Sequence, residues 1–305
     1  MVSLKYCRLF IVLFGMMLFS NCFATEVAIT IDDFPGVGPL PLGVSRLDVE
    51  NQILNTLQKY QIQNVYGMVI GGEVVGDRKM EYIINHWIAN GNFVANHTYT
   101  HHDLAKVDAD FYINDIQKTD DYLSQVKQNA TYKYFRYPYL SDGNTLAKRT
   151  AVRSYLFNHG YQIAPVTINF SDYEWNAPYA RCVRQNNTNA IAWLKQIYIQ
   201  EALSALDEAH YSSEKLFHRD IKNILLIHLG PFDAVVLDDL INAYQQRGVT
   251  FISLNDAMTD PVYKLNLNPY RAQTYTLSKR TESKDDPIVP ITSRQVQEQL
   301  DRICR

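Results

Sequence analysis

Val27-Ala28-Ile29-Thr30-Ile31-Asp32-Asp33 is the stretch from which the fold is read. A short run of strand-forming residues, Val27–Ile31, leads directly into two neighbouring carboxylates. Working outward, the same alternation repeats. Val49–Tyr60 has helical spacing through Val49, Ile53, Leu57 and Tyr60, and Val65–Ile70 is a strand closed by Gly71-Gly72. Lys79–Ala89 reads as a helix, Phe93–Ala95 as a strand, Phe111–Val126 as a helix and Tyr134–Arg136 as a strand. Leu146–Asn158, Ala190–Ala209 and Ala234–Gln246 are helices. Ile163–Ile168, Ile224–Leu229 and Thr250–Ser253 are strands. Strands alternating with helices imply a parallel sheet with helical crossovers. About seven units in one run suggest a barrel over an open sheet, two arrangements that spacing alone does not separate.

Past Met258 the alternation stops. Residues 259–305 read as a surface-wrapping tail or a partly disordered linker, with a short helix at Ser293–Ile303 capped by Ser293. At the other end, Lys5 and Arg8 precede an apolar run from Leu9 to Phe19, followed by Ser20-Asn21-Cys22-Phe23-Ala24. Residues 1–24 therefore read as a secretory signal peptide cleaved after Ala24. The run is shorter than the ~20 apolar residues of a bilayer span. Residues 25–258 are then an exported domain, periplasmic or extracellular, with no membrane span after cleavage. Cleavage leaves Cys182 and Cys304, either paired across the tail or both free. The 305 residues are 47% hydrophobic with net charge −3, which excludes the strongly basic surface of a nucleic-acid binder. Twenty-one tyrosines suit a wet groove with flat apolar faces.

Four groups of polar residues follow predicted strands, at the sheet edge where parallel α/β folds build their sites. Asp32 and Asp33 point in different directions, so one can ligate a metal while the other faces a substrate; the plainer reading is a cap. His97 and His101, in Asn96-His97-Thr98-Tyr99-Thr100-His101, sit at i and i+4. On one helical turn they would aim two imidazoles at a common point, and with one carboxylate they suit Zn²⁺ with a position left for water. The plainer reading is a His-rich surface turn. Arg136, in Phe135-Arg136-Tyr137-Pro138-Tyr139, can grip a carboxylate or form an ordinary ion pair. His228 ends Leu226-Ile227-His228, as a core histidine or as a proton donor beside a metal.

In order, these segments resemble the polysaccharide deacetylase family, also called NodB-homology or carbohydrate esterase family 4. Thr30-Ile31-Asp32-Asp33 is similar to its T-F-D-D, His97–His101 to H-[ST]-x-x-H, Arg136–Tyr139 to R-x-P-Y, Leu226–His228 to L-x-H, and Asn169–Tyr173 to a degenerate D-x-x-D-W. The resemblance spans roughly Thr25 to Met258. It implies a distorted (β/α)7 barrel of the NodB-homology type with a C-terminal extension. It further implies that Asp33, His97 and His101 bind a divalent metal, usually Zn²⁺. Asp32 would be the general base, oriented by Arg136. His228 would be the general acid, oriented by Asp172. Leu226 would line an acetyl pocket, and the Tyr139 N–H would help hold the oxyanion. Tyr173 would stack on a sugar or buttress Asp172, and Trp175 would build a groove wall. Phe34 stands where the family has Gly and is expected to alter the pocket rim. The implied activity is metal-dependent removal of N-acetyl groups from a carbohydrate polymer of peptidoglycan or chitin type. An O-acetyl ester or non-sugar amide, and a non-catalytic glycan-binding module, are the alternatives.

Overall fold

The computed structural model describes residues 25–131, 133–264 and 294–305. The signal segment at 1–24, most of the tail and the Ser293 cap lie outside these residues. β1 (Glu26–Phe34) is followed by α1 (Arg46–Lys59), β2 (Tyr66–Val69), α2 (Gly71–Val74), α3 (Arg78–Ala89), β3 (Phe93–Asn96) and α4 (Ala109–Leu123). Next come β4 (Lys133–Phe135), α5 (Leu146–Asn158), β5 (Tyr161–Ile163), α6 (Asn176–Arg184) and α7 (Thr188–Phe217). β6 (Asn223–His228), α8 (Pro231–Gln246), β7 (Thr250–Ile252), α9 (Leu254–Ala257), α10 (Pro261–Lys264) and a terminal α11 (Arg294–Arg302) complete the series.

All pairings are parallel, in the order β5-β4-β3-β2-β1-β6, with β7 added to the start of β1. The sheet curls into the expected distorted barrel. Its far edges meet where Ile168 bridges Leu225, with Leu226 N–H donating to the Ile168 carbonyl at 3.0 Å. This corrects the strand expected at Ile163–Ile168. β5 ends at Ile163, because Pro165 has no N–H to give to a ladder, and the chain crosses to the opposite edge before pairing again.

The alternation of β1 sets the layers. Val27, Ile29 and Ile31 face the helices, in one buried cluster with Ile53 and Leu57 of α1 and Leu237 and Leu240 of α8. Ala28 faces the barrel interior, packed with Tyr66, Met68, Ala95, Tyr134 and Ile224. Thr30 and Asp32 continue that inner face toward the strand ends, so polar groups crown a filled barrel. α1 begins at a capping box, in which Ser45 N–H donates to Asp48 Oδ2 at 2.8 Å and Asp48 N–H to Ser45 Oγ at 3.2 Å.

Cys182 and Cys304 are joined as a disulfide, which decides between the two readings of that pair. Arg181 beside it donates to the carbonyls of Leu300 (2.7 Å) and Ile303 (3.1 Å), and Leu300 is buried. The end of the tail is thus a helix stapled to α6. No helix among the described residues is long and apolar enough to cross a membrane.

Candidate metal and acid–base site

The end of β1 splits its two carboxylates. Asp32 stays in the ladder, in register with His228 on β6. At Asp33 the backbone turns left-handed (φ 51°) and the register with β2 shifts, which swings the second carboxylate off the first one's line. Asp32 Oδ1 accepts from Arg136 at 2.6 Å. The buried Arg136 guanidinium also donates to Thr30 Oγ1 (2.7 Å) and to the carbonyls of Ala164 (3.2 Å) and Pro165 (3.3 Å). The break after β5 is what leaves those two carbonyls free for it. Thr30 in turn donates to the Leu225 carbonyl at 2.8 Å, so Arg136 is tied to β1, to the segment after β5 and, through Thr30, to β6.

His97 and His101 do not share a helical turn, which corrects that expectation. The chain leaves β3 in a bent loop with Thr98 (φ 65°) and His101 (φ 55°) left-handed. Three local bonds fix the bend. Asn96 Oδ1 accepts from Thr98 N–H at 2.9 Å, Thr98 Oγ1 from His101 N–H at 3.1 Å, and Asp115 from Thr100 N–H at 2.8 Å. Asp115 also accepts from Tyr99 N–H and the Thr100 hydroxyl. His97 Nδ1 lies 2.9 Å from the Arg136 carbonyl, which can only accept, so Nδ1 carries the proton and Nε2 keeps its lone pair.

The three donor groups converge. Asp33 Oδ1 lies 3.0 Å from His101 Nε2 and 3.4 Å from His97 Nε2. Bonds of ~2.0–2.1 Å to one tetrahedral ion would hold ligand atoms about 3.3 Å apart. Asp33 Oδ1 is buried and receives no well-formed hydrogen bond, which fits an oxygen reserved for a cation. Among the described residues this is the one cluster of three such donors, all within 4.8 Å of one another. Burial alone would raise the pKa of Asp33, but the two adjacent imidazoles and the charge on His228 hold it well below the usual carboxylate range.

On the other side of Asp33, His228 Nε2 lies 3.8 Å from Asp33 Oδ2. Asp172, fully buried after the left-handed Ser171, accepts from His228 N–H at 2.6 Å and from its Nδ1 at 2.9 Å. Burial pulls the His228 pKa down, yet Asp172, with help from Asp33 and Asp32, pushes it up to about 10. Tyr173 is half exposed and edge-on to His228, with centroids 5.3 Å apart, and Tyr139 is 65% exposed with its ring 4.7 Å from His101. Leu226 is buried two residues before His228, on the same face of β6. A cleft of about 380 Å³ lined by Asp33, Gly36, Gly38, Arg46 and Glu73 opens beside the donor cluster.

Two sequence expectations are corrected. Trp175 is fully buried, stacked on Phe232 and edge-on to Tyr198, so it packs α6 against α8 instead of walling a groove. Phe34 is also fully buried, against Trp87, in space left by Gly67, where a Cβ would come within 2.8 Å of the ring. It cannot alter the rim. The sequence motif contains Thr30 but assigns it no role, and it does not point to Asp115. The available signal for Asp115 was an acid on the apolar stripe of α4, between Tyr112 and Ile116.

Residues 24–164 match the family model described as polysaccharide deacetylase, the family that the five motif segments resemble. The chain is 32% identical over 114 residues, 37% of its length, to a peptidoglycan-N-acetylglucosamine deacetylase of Bacillus cereus, covering 36% of that protein. It is 20% identical over 184 residues, 60% of its length, to a chitin deacetylase of Arthroderma benhamiae, covering 42% of it. The chain thus spans well under half of these curated relatives. In fold, it is similar to a pseudoenzyme of carbohydrate esterase family 4 from Bacillus anthracis, with TM-score 0.52, 16% identity, and coverage of 83% of this chain and 69% of that one. A mutant pseudoenzyme with restored activity matches at TM-score 0.52 and 17% identity, over 77% and 68% of the two chains.

Proposed function

We propose that this chain is a metal-dependent hydrolase that removes N-acetyl groups from a polymer containing N-acetylglucosamine. The observation that carries the reading is the convergence of Asp33, His97 and His101 with a buried base–arginine pair on one side and a buried acid–carboxylate pair on the other. Two imidazole nitrogens and one carboxylate oxygen suit Zn²⁺, which when bound lowers the pKa of a water and polarises an acyl oxygen.

The chain's own groups supply the rest. Asp32, fixed by Arg136, accepts the proton of the attacking water. The Tyr139 N–H supports the oxyanion, a contact of a kind worth ~3 kcal/mol in such sites. An amine leaves an acyl carbon only if protonated, and His228, kept cationic by Asp172, gives its Nε2 proton to that nitrogen. One water is consumed, one acetate and one amine are formed, and both proton carriers are restored by exchange with solvent. Tyr139 and Tyr173 offer exposed ring faces on either side for sugar rings. The names of the Bacillus cereus and Arthroderma benhamiae relatives support an N-acetylated polymer. With Phe34 in the core, the O-acetyl ester and non-sugar amide alternatives lose that residue as support and rest on the altered fourth motif, Asn169 and Tyr173. The disulfide supports export to an oxidising compartment.

The test is acetate release from N-acetylglucosamine oligomers, before and after chelation and resupply of Zn²⁺, with Asp32→Asn alongside. Activity that needs metal and collapses in Asp32→Asn is expected. Turnover that survives complete metal removal would reject the mechanism.

A further inference from the structure

We propose that Asp233 is a positioning residue for the acid His228, acting through Asp172, with Tyr198 holding Asp233 in place. The inference rests on the functional reading above. Asp233 is the third residue of α8 and is buried. Tyr198 donates its hydroxyl to Asp233 Oδ1 at 2.7 Å. Asp233 Oδ2 is buried and has no partner if the group is a carboxylate, whereas a protonated Asp233 has the Asp172 side chain as a hydrogen-bond partner. The approach is tight: a Cβ on Gly230 would sit 2.5 Å from Asp233 Oδ2, so glycine at 230 is what lets this side chain in.

Two carboxylates in contact inside a protein do not both stay ionised. Burial first, and then the charge of Asp172, raise Asp233 far above the carboxylate range, so Asp233 is the neutral partner. Its Oδ2–H donates to Asp172. Asp172 then accepts from three donors: the Asp233 hydroxyl, His228 N–H and His228 Nδ1. That fixes the carboxylate plane against the imidazole and with it the aim of Nε2 at the leaving nitrogen. A side-chain amide mimics this arrangement, because Asn can donate to Asp172 and accept from Tyr198.

The assay compares an N-acetylglucosamine oligomer with 4-nitrophenyl acetate, whose phenolate leaves without a proton. Asp233→Leu should lower kcat on the acetamide by about 10-fold or more, part of the 10²–10⁴ that acid assistance supplies, and leave KM and ester turnover nearly unchanged. Asp233→Asn should restore the acetamide rate to within a few-fold. In a His228→Ala background, Asp233→Leu should cost nothing further. Equal loss on both substrates, an unchanged acetamide rate, or further loss in the His228→Ala background would overturn the inference. If Asp233→Leu does not fold, Tyr198→Phe replaces it: a several-fold loss confined to the acetamide is expected, and equal loss on both substrates or none at all overturns it. His228→Ala with full acetamide activity would instead reject the functional reading itself.

Discussion

Arg136→Met removes a buried cation whose guanidinium makes four hydrogen bonds. It leaves the buried Asp32 carboxylate without its 2.6 Å partner and takes donors from the Ala164 and Pro165 carbonyls. Breaking a buried pair by deleting one member costs about 3–5 kcal/mol, because the remaining charge stays desolvated. At roughly 2–4 °C per kcal/mol for a domain of this size range, Tm should fall by roughly 6–20 °C. The pair, and not the methionine, should account for most of that. Adding Asp32→Asn removes the orphaned charge, so the double variant should be less destabilised than the sum of the single ones by about 1–3 kcal/mol. Denaturant titrations of the four proteins, read alongside thermal melts, measure both quantities. A loss under about 1 kcal/mol in Arg136→Met, or strict additivity in the double variant, would refute the claim that Arg136 exists to hold a buried carboxylate.

Other outcomes follow from the same structure. His228, at about 10, is protonated at neutral pH and loses its proton as pH rises through that value. In Asp172→Asn burial is opposed less, so the alkaline limb of the acetamide pH–rate profile should move to lower pH and kcat at pH 7.5 should fall by ~10² or more; an unmoved limb refutes it. Cys182→Ser with Cys304→Ser opens a closure of 122 residues and should cost about 2–5 kcal/mol, with faster amide exchange in α11; an unchanged melt contradicts the staple. Glu50 is buried on α1, and that burial raises its pKa to about 6 against the pull of His86. Its folded pKa lies above its unfolded one, so its contribution to stability is full below about pH 4.5 and is lost as pH rises through about 6. Glu50→Gln should therefore gain stability over the parent more at pH 8 than at pH 5, and a pH-independent difference counts against the buried carboxyl.

What could be read in the sequence was what local pattern dictates. Val27–Ile31 had to be a buried strand, and two acids at its end had to diverge. The five motif segments located both halves of the site before any coordinates, including Asp172 and His228, which lie beyond the residues the family model matches. What could not be read was where rings end up. Phe34 and Trp175 follow functional residues, and chain proximity says nothing about which side of the backbone faces the barrel mouth. Phe34 was admitted to the core by Gly67, 33 residues away, and Trp175 by Phe232 and Tyr198. The histidine spacing was right for convergence but not for its cause, since a bent loop pinned by Asp115 does the work expected of a helical turn. Asp233 was hidden for a different reason. An acid in the first turn of a helix needs no explanation beyond the helix dipole, and only the packed neighbour Asp172 makes it unusual.

The most direct test is diffraction at the zinc absorption edge from protein loaded with one equivalent of Zn²⁺. The account predicts a single anomalous peak within ~2.0–2.2 Å of Asp33, His97 and His101, absent in His97→Ala. A peak elsewhere, or none at this cluster in protein that still releases acetate, would contradict it.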